Sequence, residues 1–161
     1  MDQIDVNKLP FRNNVANVIF RGDKFLIVQK VGWPDEFWKF PQGGIGPDEK
    51  PEEASARELK EELGSSNFRI VGKSRYTNQY DFSEESLRLS KYQWRGQIQQ
   101  FFIVEFLGND EELSVDHTEV RNFEWVDAQT VLKRTDHDDK NFTNYKNTLE
   151  KIFKEYKFIK I

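Results

Sequence analysis

A run rich in chain-breaking residues, followed at once by a helical pattern, constrains the fold of this chain most. The run is PQGGIGP at positions 41–47, and glycine and proline at this density predict a tight, exposed connection. Beyond the run, Pro51 suits the first position of a helix, and Gly64 stands where a left-handed residue ends one. We therefore expect a sharp turn that leads directly into a helix over residues 51–63.

The pattern of apolar residues predicts strands on either side of this helix. Segments 14–20 and 24–30 are apolar and β-branched, and the turn residues between them indicate a hairpin. Further strands are predicted at 68–75, 99–107 and 123–126. The stretch 82–96 is rich in serine and charge, which favours a loop or a short helix.

Apolar stripes on the helices show how these elements pack. The first helix has Ala54, Leu59 and Leu63, with Ala56 nearby, on a face that can cover a sheet. Near the C-terminus, apolar residues again recur at helical spacing, namely Phe142, Tyr145, Leu149, Ile152, Phe153 and Tyr156. The order β-β-α-β-β-β-α predicts an α/β fold in one domain over residues 1–161, an α/β/α sandwich with a mixed sheet between helices.

The same helix carries a crowded set of acids. Glu58, Glu61 and Glu62 stand at i, i+3 and i+4, so their carboxylates project from one side of the helix. Hard divalent cations such as Mg²⁺ take carboxylate and carbonyl oxygens, and the Gly43-Gly44 turn offers a close-lying backbone carbonyl. The spacing alone leaves two interpretations open, a cation site and an ordinary solvated acidic face.

Composition and charge exclude several classes of function. With 24 basic and 28 acidic residues, a large basic face for DNA is not expected, so a polyphosphate ligand has to be attracted locally. The chain has no cysteine, which excludes thiol catalysis and thiolate zinc sites. No apolar run is long enough to span a bilayer, and the first eleven residues contain no apolar core of a secretion signal. We expect a cytoplasmic protein without a membrane partner; its oligomeric state is left open.

Spacing relative to the glycines resembles the Nudix box. Gly43, Glu49 six positions later and then RELKEELG at 57–64 match that motif, with Ser65 in place of the usual aliphatic residue. The resemblance implies that Glu58, Glu61 and Glu62 bind Mg²⁺, with Mn²⁺ able to replace it, and that Arg57 orients a glutamate. It also implies a hydrolase that cleaves a phosphoanhydride bond, with Glu49 in a structural role.

Four segments outside the box are similar to one group within that family, which contains the RNA pyrophosphohydrolases and the dinucleoside tetraphosphate hydrolases. They are FRNNV at 11–15, WKFPQGGI at 38–45, YDF at 80–82 and WRGQIQQFF at 94–102. Two positions differ from the group, because Gln100 replaces a basic residue and Lys30-Val31 replaces an arginine-containing pair. Because of these differences, the contacts to the phosphate chain are the feature in which we expect this protein to differ most from the group.

This closer resemblance implies further site residues. Arg12 and Arg95 are expected on the phosphate chain, and Glu119 as a further metal ligand or general base. Substrate contacts are expected from Lys39, Gln42, Tyr80 and Phe142, the last two by stacking on a base. Alternatives stay open for some of them: a solvated loop acid for Glu119, a surface ion pair for Arg95, and core packing for Tyr80 and Phe142.

The resemblance implies a nucleotide substrate, either the 5′-triphosphate end of RNA or a dinucleoside polyphosphate. The shared motifs bind the polyphosphate tail, so the sequence does not separate these two substrates. One alternative is an inactive Nudix module that only binds a nucleotide, although such modules typically lack box glutamates that are all present here. Another is a Nudix hydrolase for a different nucleoside-diphosphate-linked metabolite.

Overall fold

A computed structural model of the chain describes residues 3–158. Its six strands form one mixed sheet in the order β4-β5-β1-β2-β6, with β3 paired to β1 beside this path. The strands are β1 (Phe11–Arg21), β2 (Lys24–Lys30), β3 (Gln42–Gly44), β4 (Phe68–Asp81), β5 (Gly96–Phe106) and β6 (Val120–Val126). The helices are α1 (Pro51–Leu63), α2 (Glu84–Leu89), α3 (Ala128–Arg134) and α4 (Tyr145–Glu155).

Helices cover both faces of the sheet, which confirms the predicted sandwich. On one face α1 packs on the sheet through a buried cluster that includes Leu59, Leu63 and the β1 residue Val15. On the other face α3 and α4 pack on it through a second cluster with Val131, Phe153 and others. Burial of these large side chains stabilises each layer by about 1.5–3 kcal/mol per residue.

The hairpin of β1 and β2 opens towards its far end. The strands pair only beside the turn, with Ile19–Arg21 opposite Lys24–Leu26, and Gly22 adopts a positive φ of 62° in that turn. Farther along, β3 takes the place of β2 as the antiparallel neighbour of β1. Because only residues 45–50 separate β3 from α1, this exchange sets the helix beside the open end of the sheet.

Helix α1 begins and ends where the sequence predicts. Pro51 starts it, and Gly64 follows it in the left-handed conformation with φ of 72°. The expected stripe is partly wrong, because Ala56 is exposed whereas Ser55 is buried and donates a hydrogen bond to the Asn17 side chain. That polar contact lets a serine occupy the helix–sheet interface.

Two elements are absent from the sequence prediction, and a third takes one of its two predicted forms. Residues 42–44, predicted as part of a connection, form the short strand β3, because β1 supplies a backbone partner along that segment. Helix α3 has no predicted counterpart, since its seven residues are too few for a clear helical period. The stretch 82–96 contains α2, capped by the Ser83 side chain, and thus takes the helical one of its two predicted forms.

No helix within residues 3–158 is long and apolar enough to cross a membrane. The ends of the predicted domain, residues 1–2 and 159–161, lie outside the described residues. The extent of that domain and the cytoplasmic location stay predictions.

Candidate active site

Two of the three clustered glutamates of α1 are buried against the sheet. Glu58 and Glu62 are 8% and 1% exposed, whereas half of the Glu61 side chain is exposed. Burial raises the pKa of Glu58, because a charged carboxylate loses hydration there. Glu58 and Glu62 therefore do not belong to an ordinary solvated face, whereas Glu61 remains at the surface.

Arg57 connects the acidic cluster to the turn before the helix through hydrogen bonds. Its guanidinium donates two hydrogen bonds to Glu49, at 2.7 and 2.9 Å, and a third to the Gly44 carbonyl at 2.9 Å. The remaining nitrogen donates to Glu58 at 2.8 Å and approaches Glu61 at 3.3 Å. Hydrogen bonds from Arg57 and from the Gly46 N–H lower the pKa of Glu49 to about 2. Arg57 thus orients Glu58 while Glu49 holds Arg57 in place.

Glu62 is a buried carboxylate with incomplete pairing. Lys30 Nζ lies 2.9 Å from its Oε1 as an ion pair, whereas Oε2 has no hydrogen-bond donor within residues 3–158. Burial raises the pKa of Glu62 to about 7 against the opposing charge of Lys30. A buried carboxylate oxygen without a donor is costly unless a ligand uses it.

Gly43 and Gly44 bring the backbone of β3 close to charged side chains. A Cβ on Gly43 would lie 2.1 Å from the Glu58 carboxyl carbon, and one on Gly44 would lie 2.2 Å from Arg12 Nη2. The Gln42 carbonyl accepts a hydrogen bond from Lys30 at 3.0 Å. Gly43 therefore has a clear steric role, whereas a metal contact by its carbonyl stays a prediction.

These groups open into one cleft of about 600 Å³. Its walls include most of the predicted cleft residues, namely Arg12, Gln42, Gly43, Glu58, Glu62 and Glu119. Arg57 and Glu61 do not line the cleft. Glu119 is exposed and adds to the negative potential at Glu62, whose pKa it helps to raise. Three carboxylates from two distant segments thus share one cavity.

A second compartment of about 720 Å³ joins this cleft and contains Lys39, Tyr80 and Phe142. All three are almost fully buried, at 2–4% exposure. The Lys39 ammonium donates to the Asn141 carbonyl at 2.6 Å and lies 4.6 Å from the Phe142 ring centroid. Burial lowers the pKa of Lys39 to about 7. The two aromatic rings are packed in the core and also form part of the compartment wall, so both interpretations of them have structural support.

Sequence reasoning missed the polar floor beneath the cleft. Asn14 donates to Gln97 at 2.9 Å, and Gln99 donates to Asn14 at 3.1 Å and to Gln42 at 2.6 Å. Gln97 in turn donates to the Tyr80 hydroxyl. Alternate polar residues at the start of β1 and β5 were the available signal, because two parallel strands bring such positions together. Lys30 was noted only as a departure from the family pattern.

Arg95 is not in the cleft. It pairs with Asp81 at 2.9 Å and lies 5.1 Å from the Phe11 ring centroid, and it lines neither compartment. Arg95 thus lies where a surface ion-pair residue would, which is one of the two interpretations that the sequence left open. Trp33 and Trp94, by contrast, both line the cleft.

The donor set fits a hard cation. No three acidic or imidazole groups among residues 3–158 converge tightly enough to hold a metal ion as they stand. Arg57 pairs with Glu58 and Glu61, whereas Lys30 pairs with Glu62. The carboxylates of Glu62, Glu58 and Glu119 are nevertheless hard donors in a shared cavity, and Oε2 of Glu62 has no donor within residues 3–158. Such an arrangement can bind a divalent cation together with phosphate oxygens.

Comparisons with known proteins identify the family. The NUDIX domain family matches residues 10–146. An RNA pyrophosphohydrolase of Gluconobacter oxydans is 35% identical over 135 residues, covering 81% of this chain and 79% of that protein. One of Cereibacter sphaeroides is 36% identical, covering 80% and 83%. A C. elegans Ap4A hydrolase structure shares the fold, with a TM-score of 0.68 and 18% identity over 92% of this chain and 99% of that one. The chain therefore belongs to the Nudix family of pyrophosphate-hydrolysing enzymes.

Proposed function

We propose that this enzyme hydrolyses a phosphoanhydride bond in the 5′-triphosphate end of RNA with the help of Mg²⁺, which Mn²⁺ is able to replace. The observation that carries the proposal is the buried Glu62 carboxylate in the cleft, which pairs only with Lys30 and whose Oε2 lacks a hydrogen-bond donor within residues 3–158. The names of the relatives at about 35% identity support the choice of RNA.

The residues that would hold the cation are Glu58, Glu62 and Glu119, which line the cleft, and, by the family resemblance, Glu61, which pairs with Arg57 outside it. Arg57 keeps Glu58 in position through its bonds to Glu49 and Gly44. A bound divalent cation supplies positive charge that stabilises the phosphoryl oxygens as the bond breaks. By holding the cation, these carboxylates would give the mildly acidic chain a local attraction for a polyphosphate.

The reaction adds one water molecule across the anhydride. A P–O bond forms between the water oxygen and phosphorus, the bridging P–O bond breaks, and pyrophosphate leaves. The water proton passes to a carboxylate of the cleft, and Arg12, on the cleft wall, binds the phosphate chain. Tyr80, Phe142 and Lys39 hold the nucleoside in the adjoining compartment.

A dinucleoside polyphosphate is the second candidate substrate. It is favoured by a further cavity that shares Arg12 and Trp94 with the cleft, because a substrate with a nucleoside at each end needs room on both sides of its phosphate chain. The shared fold of the C. elegans Ap4A hydrolase is consistent with this candidate.

The test is a competition assay that offers triphosphorylated RNA and diadenosine tetraphosphate together, with and without Mg²⁺. We expect metal-dependent release of pyrophosphate from RNA, and loss of turnover in Glu62→Gln and Glu61→Gln proteins that keep the wild-type circular dichroism spectrum. Glu53→Gln is the matched control, since Glu53 is exposed in the first turn of the same helix.

Full activity in both glutamine variants would overturn the assignment of these glutamates. Binding of both nucleotides without any turnover would instead identify an inactive nucleotide-binding module. Turnover of only a nucleoside-diphosphate-linked metabolite would move the chain to another Nudix substrate class.

A further inference from the structure

One polar pair interrupts the apolar interface between α1 and the sheet. Asn17 lies between Val15 and Ile19 along β1, and strand alternation places all three on the face that α1 covers, where they are fully buried. Ser55 of α1 is also fully buried and donates a hydrogen bond to Asn17 Oδ1. The pair therefore joins the helix to the strand by one directional contact within a cluster of apolar side chains.

This pair is a poor source of stability. The Asn17 side-chain nitrogen is buried and has no hydrogen-bond partner within residues 3–158. A buried donor without a partner is unfavourable, whereas two apolar side chains of similar shape would remove that penalty. What the pair can contribute is geometry, because a hydrogen bond requires a particular separation and direction, and apolar contacts are non-directional.

Ser55 lies on the same side of α1 as the two buried glutamates. Glu58 follows it by three residues and Glu62 by seven, so Ser55 and Glu62 differ by only about 20° around the helix axis. Side chains extend about 5–6 Å from the axis of a helix, so a rotation of α1 by about 10° moves a carboxylate by about 1 Å. Holding Ser55 against β1 therefore fixes where both carboxylates lie.

Asn17 also holds the strand that faces these carboxylates. Its backbone N–H donates to the Pro41 carbonyl at 2.9 Å, and Pro41 directly precedes β3, which carries Gly43. The Glu58 carboxyl group packs against Gly43, where a Cβ would meet it at 2.1 Å. One strand residue thus connects through its main chain to β3 and through its side chain to α1, the two elements that meet at the cleft.

We propose that Asn17 and Ser55 are positioning residues for the cation site, because the pair sets the rotation of α1 relative to β3 and thereby the places of Glu58 and Glu62. Neither Asn17 nor Ser55 lines the cleft, so both act through the elements that they join. The proposal rests on the proposed function only where cation binding is measured. The placement of α1 is testable without a metal ion.

An Asn17→Val/Ser55→Ala double variant removes the pair and leaves an apolar interface. Because both polar partners are replaced together, we expect the midpoint of urea unfolding to stay at or above that of wild type. Asn17→Ala/Ser55→Ala removes the same pair with smaller side chains, and it decides the question if the first double variant does not fold. Leu59→Met is the matched control, since Leu59 is 2% exposed at the same interface and methionine has a similar volume.

Crystal structures of the metal-free proteins test the placement of α1 directly. With the structures superposed on the sheet, we expect the Glu58 carboxyl carbon of the double variant to lie about 1 Å or more from its wild-type position. Leu59→Met should leave this atom in place. An unmoved α1 in the double variant would overturn the proposal, whatever the protein binds or hydrolyses.

Binding of Mn²⁺, followed by electron paramagnetic resonance of the free ion, tests the consequence for the site. We expect the double variant to bind Mn²⁺ about tenfold more weakly, as is typical when a group that orients metal ligands is lost. Such a loss at an unchanged unfolding midpoint is not expected of a pair that only stabilises the fold.

An affinity within about twofold of wild type, or an equal loss in Leu59→Met, would overturn the proposal, because contacts that orient metal ligands change affinity by more than this. If the wild-type protein neither binds Mn²⁺ nor hydrolyses a nucleotide, the proposed function fails. In that case the metal-free crystal structures alone decide the role of Asn17 and Ser55.

Discussion

Substituting Gly43 with alanine should remove activity while leaving the fold almost unchanged. The new Cβ would lie 2.1 Å from the carboxyl carbon of Glu58, whereas ordinary contacts begin at 3.4 Å. The carboxylate must therefore retreat by about 1.3 Å, and a misplacement of about 1 Å in an active site costs about 100-fold in rate. The new Cβ meets the end of a side chain and not the backbone, so the movement of Glu58 should cost far less in stability than a backbone clash.

The assay pairs kinetics with unfolding. We expect kcat for a nucleoside polyphosphate to fall about 100-fold and the free energy of unfolding to change by less than about 1 kcal/mol. Gly46→Ala is the matched control in the same turn, because a Cβ there meets Glu49 at an ordinary 3.5 Å. Wild-type kcat in Gly43→Ala, or an equal loss in Gly46→Ala, would refute the steric argument.

Two further predictions concern charged residues whose surroundings are now defined. Burial lowers the pKa of Lys39 to about 7 from 10.5, so the unfolded chain binds more protons between these values and the free energy of unfolding should rise with pH there. Urea unfolding should show that the free energy of unfolding is on the order of 3 kcal/mol higher at pH 9.5 than at pH 7 because of this residue. The Lys39→Met protein should lack this difference. Equal pH profiles of the two proteins would contradict the burial of Lys39. Arg95→Ala should lose less than about 1 kcal/mol of stability and keep its KM for adenosine 5′-tetraphosphate, because Arg95 forms a half-exposed ion pair with Asp81. A large rise in that KM would restore the phosphate-binding role predicted from the sequence.

Local patterns predicted the elements of the fold that depend on neighbouring residues. The hairpin around Gly22 and the helix between Pro51 and Gly64 follow from turn chemistry and helical period, which need no knowledge of the rest of the chain. Strand β3 was missed because it exists only through pairing with β1. Its three residues carry no strand pattern of their own.

The site was predictable where one element carries it and less so where several converge. Glu58, Glu61 and Glu62 share a helix, so spacing alone predicted that they lie on one side of it, although only Glu58 and Glu62 line the cleft. Their burial was not foreseen, because it depends on how deeply α1 packs on the sheet. Lys30 reaches Glu62 from a different strand, and sequence offers no measure of that distance.

The position of Arg95 illustrates the limit of motif resemblance. The segment around it matches the family group, yet its guanidinium turns to Asp81 at 2.9 Å. Arg12 comes from another matched segment and does line the cleft. A motif fixes the backbone position of a residue more reliably than the partner that its side chain selects.

The central claim, that the buried carboxylates of α1 bind a divalent cation, is tested most directly by titrating the protein with Mn²⁺ and following free Mn²⁺ by electron paramagnetic resonance. The account predicts binding that Glu58→Gln and Glu62→Gln each weaken by about 10–100-fold or more, and that Glu53→Gln leaves unchanged. No Mn²⁺ binding by the wild-type protein, even with nucleotide present, or equal binding by all four proteins, would contradict it.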